Sequence, residues 1–171
     1  AYNGAAQATI SAGLTGSGGL TCMGTSQSLN LTGNTANTFT GGLVIHGGTV
    51  ALSSNGANLN DVEVGPFGRL CPNSSSSATT GCIIGGLSGT GRVAGWWQGS
   101  STPRPVTIKP ASGTHVFEGR LANGDGGSLL SVIKDGAGTQ VFGSDSTGTY
   151  TGTTQVLDGF LRIDGNFSAA S

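Results

Sequence analysis

Residues 1–60 contain no Asp, Glu, Lys or Arg, and only 9% of the 171-residue chain is charged. Five Arg, two Lys and a formal net charge of -1 give no electrostatic footprint for nucleic acid or an anionic membrane. No apolar run approaches the roughly 20 residues of a membrane span, so membrane insertion is not expected. The glycines follow no strict three-residue period, which excludes a collagen helix. No window of 11 to 18 residues places apolar side chains at helical spacing without an intervening Gly, so helices are not expected. Hydrophobicity is low, but net charge is low too and Val, Ile and Thr are plentiful, so disorder is a poor fit. A turn-rich β protein remains.

What is abundant is Gly, with 33 residues, alongside 20 Ser and 21 Thr. Short alternating runs recur between these small residues. Leu43-Val44-Ile45, Thr49-Val50-Ala51-Leu52, Val106-Thr107-Ile108, Gln140-Val141-Phe142 and Phe160-Leu161-Arg162-Ile163 are examples. Each is three to five residues long and bounded by Gly, Asn, Asp, Ser or Pro, the signature of short strands. Strands this short suit coils stacked on one another.

Internal repetition supports that reading. Residues 38–52 match residues 149–163 at a constant offset of 111, in the order aromatic, Thr, Gly, strand, Gly, strand. In block terms, 20–54 is matched by 131–165, with looser coils over 66–105. A weaker echo sets residues 86–93 against 13–20. At these residues the chain resembles the autotransporter-associated β-strand repeat of bacterial surface proteins. Gly16-Ser17-Gly18-Gly19-Leu20-Thr21 opens the first copy. Lys134-Asp135-Gly136-Ala137-Gly138-Thr139, Thr149-Tyr150-Thr151-Gly152 and Asp158-Gly159-Phe160-Leu161 carry the closer match in the second. The resemblance implies a right-handed parallel β-helix, secreted or displayed on a bacterial surface.

The expected fold is therefore an all-β solenoid occupying residues 1–171 as a single domain. At 20 to 25 residues per coil it would have roughly seven or eight coils. A β-sandwich is the alternative, since its strands and turns have similar spacing. No basic start followed by an apolar core is visible, so the chain reads as a mature secreted chain or a fragment.

Function is expected from architecture more than from chemistry. A solenoid has two open ends, and neither terminus carries a readable cap. Ala1, Tyr2, Asn3, Phe167 and Ser171 are the candidate assembly ends for head-to-tail stacking into a homopolymer, a contact that does not close. Trp96, Trp97 and Arg104 form a candidate glycan- or partner-binding loop. Cys71 and Cys82 enclose a flexible ten-residue loop and are the candidate disulfide, which implies an oxidising compartment. Cys22 is left over, as a buried small hydrophobe or an intermolecular thiol.

No catalytic residue, metal site or cofactor is expected. The Asp residues lie mostly beside Gly or Ser, where turns favour them, and no spacing singles out a hydrolytic pair. His46 and His115 have no readable catalytic partner. The expectation is a non-enzymatic extracellular building block of a surface fibre, stalk or biofilm matrix. An adhesin segment that binds glycan on a cell surface is the alternative, and a polysaccharide-cleaving enzyme the least favoured.

Overall fold

The computed structural model describes residues 7–32, 37–52, 60–72, 81–95 and 102–168. Its described regular structure is strand throughout. In chain order the strands are β1 (Gln7–Ile10), β2 (Thr15–Gly16), β3 (Leu20–Leu31), β4 (Thr38–Phe39), β5 (Leu43–Leu52) and β6 (Val62–Pro72). There follow β7 (Cys82–Ile84), β8 (Leu87–Gly89), β9 (Arg92–Ala94), β10 (Arg104–Ile108), β11 (Thr114–Phe117) and β12 (Arg120–Ala122). The last are β13 (Leu130–Lys134), β14 (Thr139–Phe142), β15 (Thr147–Thr149), β16 (Thr154–Val156), β17 (Phe160–Ile163) and β18 (Asn166–Phe167).

Every described pairing is parallel, and pairing partners belong to successive coils. The chain visits three faces in a fixed order. The first face stacks β1, the second halves of β3, β5 and β6, then β9, β12, β15 and β18. The second face holds the β2–β4 pair and the series β7, β10, β13, β16. The third stacks the first halves of β3, β5 and β6, then β8, β11, β14 and β17. Six successive pairings along the third face make about six turns, close to the seven or eight expected. The fold is thus a parallel β-solenoid, and the sandwich alternative falls.

Alternation within each strand builds the core. In β5, Leu43 and Ile45 point inward and are fully buried, while His46 faces out. Stacked coils turn such positions into ladders. Ile45, Val64, Phe117 and Phe142 line the third face, Val50, Leu70, Val93 and Leu121 the first, and Val106, Ile108 and Val132 the second. Burying one Phe or Leu of such a ladder contributes roughly 1.5–3 kcal/mol. Between third and first face, β3, β5 and β6 run through the corner as single strands with register shifts, a β-bulge solution to the bend. Later coils break there instead, at Gly89–Gly91 and at Gly119.

The 111-residue match has an unexpected geometry. Ile45 lies on the third face opposite Val64, but its counterpart Val156 lies on the second face opposite Lys134. Likewise Val50 is on the first face, and its counterpart Leu161 is on the third. The repeated unit is therefore strand–corner–strand, placed one face out of phase in its second copy. It is not a whole number of coils.

At the C-terminal end, Gly148 interrupts the inward ladder of the first face, and the Phe167 ring occupies the space. A Cβ at Gly148 would lie 2.0 Å from that ring. Phe167 stacks on Phe142 at 5.4 Å and meets Tyr150 edge-on at 6.5 Å. This candidate assembly residue is thus a half-buried plug at the end of the core.

Candidate functional site

The outer side of the first face carries the densest described charge. Arg69, Arg92 and Arg120 occupy one outward position on three consecutive coils. Beside them runs a ladder of small buried residues, Ala51 opposite Cys71 and Ala94 opposite Ala122. The turn after β12 folds over both. Its Asp125 accepts from Arg69 Nη1 at 2.8 Å and from Arg92 Nη2 at 2.6 Å. Arg69 also donates to the Gly95 carbonyl, and Arg92 to the Asn123 carbonyl at 3.2 Å. Arg120 donates to Thr149 Oγ1 at 3.2 Å. Partial burial pulls the Asp125 carboxyl upward, but the hydrogen bonds and charges of Arg92 and Arg69 outweigh it and hold it below its ordinary value.

Arg104 is placed differently from expectation. It opens β10 on the same side as Val106 and Ile108 and is 1% exposed. Its guanidinium is an interior group, which removes it from a surface glycan site. Burial pushes it below its ordinary value, against the pull of the nearby Cys71. Trp96, Trp97, Ala1, Tyr2, Asn3 and Ser171 lie outside the described residues.

The disulfide expected between Cys71 and Cys82 is not formed, and all three cysteines are free thiols. The physical reason lies in the alternation. Cys71 faces outward into the small cluster with Ala51, whereas Cys82 faces the main core. Burial pushes both thiols up to about 12; three arginines oppose this at Cys71, and the Cys71 charge adds to it at Cys82. Cys22 is half-buried, and burial raises it as well. Neutral thiols are poor nucleophiles. At pH 8 the native protein is expected to be alkylated at Cys22 at most, with all three cysteines alkylated after denaturation without reductant. Intact mass would report this; a single alkylated cysteine in the denatured sample would instead reveal a bridge.

The remaining polar groups serve the coils. Asp135 and Asp158 accept the N–H groups of Gly136 and Gly159, the turn role their Asp-Gly sequence predicts. Asp135 also pairs with Lys109 at 2.7 Å. Lys134, the Lys of the repeat pattern, is fully buried and donates to the carbonyls of Gly136 at 2.7 Å and Asp158 at 3.0 Å. His115 packs over Gly86, 3.9 Å from Asp61. Among the described residues no three His, Cys, Asp or Glu gather as metal ligands.

Three faces of parallel rungs, with polar side chains spent on turns and inter-coil ties, define a stacked-coil scaffold. A family model, the passenger-associated-transport-repeat, matches residues 26–52 and 132–163. Those two segments match a passenger repeat, and together with the β-solenoid they fit the resemblance to autotransporter passenger β-helix repeats read from the motifs. The match implies a secreted passenger repeat. No curated protein and no solved structure matches the chain.

Proposed function

We propose that this chain is a non-enzymatic extracellular building block of a bacterial surface fibre, stalk or matrix, extended by head-to-tail stacking of copies. The observation that carries the reading is the last rung. Among the described residues, β16, β17 and β18 are each the last strand of their ladder. Val156, Leu157, Phe160 and Ile163 there are 52%, 66%, 72% and 46% exposed. Open edges with apolar side chains invite another strand, and the uncharged first coil of a second copy presents edges of the same three faces. β2 would meet β16, the start of β3 would meet β17, and β1 would meet β18.

Purified protein is expected to form rods that lengthen with concentration in negative-stain electron microscopy. Lys at both Val156 and Ile163 should leave short single rods, because inward-pointing charge blocks edge pairing. Monodisperse wild-type monomer at every concentration would sink the reading. The second reading, an adhesin-type passenger segment that binds glycan, draws its support from the arginine ladder.

A further inference from the structure

We propose that the Arg69–Arg92–Arg120 ladder is a docking stripe for an acidic polysaccharide. The proposal rests on the adhesin-type reading and names its site and ligand class; it is independent of stacking.

Paired rungs stand about 4.8 Å apart, so three arginine side chains leave the solenoid from positions stacked along its axis at that interval. Like charges directly opposite each other on paired strands are destabilising. Among the described residues, Asp125 is the single carboxylate in ion-pair contact with the ladder. One negative charge against three positive ones leaves the stripe with a net excess of two. Local cost without full compensation is a mark of a functional site.

Asp125 also shows what the ladder accepts. Its carboxylate spans two coils, one oxygen on Arg69 and the other on Arg92. It reaches them from a turn, and its side chain is 56% exposed. It therefore stands where an incoming carboxylate or sulfate could replace it, with the same charge-assisted bonds to the guanidinium forks. Arg120 extends the row by one coil, is exposed, and donates to the Thr149 hydroxyl. A chain of acidic sugars repeats its anions along its length, as the ladder repeats its cations. A single small anion would engage only one or two rungs.

The test is binding of polygalacturonate, with neutral dextran as the control. Wild-type protein should bind polygalacturonate, more weakly with added salt. Arg120→Gln should weaken binding about tenfold, the loss of one charge-assisted contact. Asp125→Asn should tighten it several-fold, because the competing carboxylate is gone. A clamp with only a structural role would leave affinity unchanged or lower in Asp125→Asn. Polygalacturonate binding that ignores Arg120→Gln would overturn the ladder as the site while leaving the adhesin-type reading standing. Failure of the wild type to bind either polymer would overturn both.

Discussion

A Gly89→Ala protein is expected to lose about 3–5 kcal/mol of stability, from left-handed backbone strain and from overpacking. Gly89 ends β8 with φ of 97°, a conformation that L side chains rarely adopt. Its missing Cβ would lie 2.2 Å from the Val64 carbonyl oxygen, and that atom is backbone in the paired strand β6. The neighbour cannot swing away without opening the β6–β8 ladder. The same rung joins β11 through Gly89 opposite Phe117. Damage here therefore falls in the middle of the rod. Because each coil of a solenoid touches only its neighbours, the two halves should then unfold separately. For a chain of this length the melting temperature should fall by roughly 10 °C or more. Hydrogen exchange should show lost protection centred on 81–95. Gly18→Ala is the matched control, since nothing lies within 4 Å of its Cβ position. A Gly89→Ala melting temperature within about 2 °C of wild type would defeat the argument, being less than the shift from 1 kcal/mol.

Much of this architecture is legible in the sequence because its causes are local. Alternation in Leu43-Val44-Ile45 and Val106-Thr107-Ile108 fixes which side chains go inward. Asp-Gly at 135–136 and 158–159 marks turns through the side-chain bonds the structure contains. The cysteine expectation failed where a loop-closure argument displaced that same alternation. Leu70 faces in, so Cys71 must face out. Phase around the solenoid was not legible, because coil length varies. Leu20, Leu43, Val62 and Leu87 are ladder neighbours separated by 23, 19 and 25 residues. No single period aligns them, so a local strand–corner–strand match says nothing about which face it occupies. The arginine ladder was hidden for the same reason, with steps of 23 and then 28 residues. Arg104 looked like a surface group because charge normally is one; its parity with Val106 and Ile108 marked it as interior.

Gln140 makes the sharpest case of a residue whose role no local pattern shows, and its removal should cost about 2–5 kcal/mol, from two buried backbone groups left unsatisfied. It lies on β14, fully buried. Its Oε1 accepts the Leu87 N–H at 3.0 Å, and its Nε2 donates to the Leu87 carbonyl at 2.9 Å. Leu87 is two coils away, on β8. The coil between them, β11, pairs with β8 only at Phe117 and Gly89, so Leu87 has no ladder partner on that side. A side-chain amide with both a donor and an acceptor replaces the missing backbone group. Gln140→Leu keeps much of the volume and loses both bonds to Leu87, together with the Nε2 bond to the Val141 carbonyl at 3.2 Å. Gln140→Glu keeps the acceptor and loses the donor, and at neutral pH it buries a carboxylate without a cation. Burial would raise that carboxyl above its ordinary value of about 4.3. The folded state then favours the neutral acid, whose O–H can donate to the Leu87 carbonyl. Its stabilising contribution is therefore present below the ordinary value and lost as pH rises through the raised one. Urea unfolding at acidic and neutral pH, each compared with wild type, separates the cases. Gln140→Leu should be destabilised equally at both. Gln140→Glu should approach wild type in acid and fall below Gln140→Leu at neutral pH. Wild-type stability in the Leu variant would show that Leu87 does not depend on this bridge.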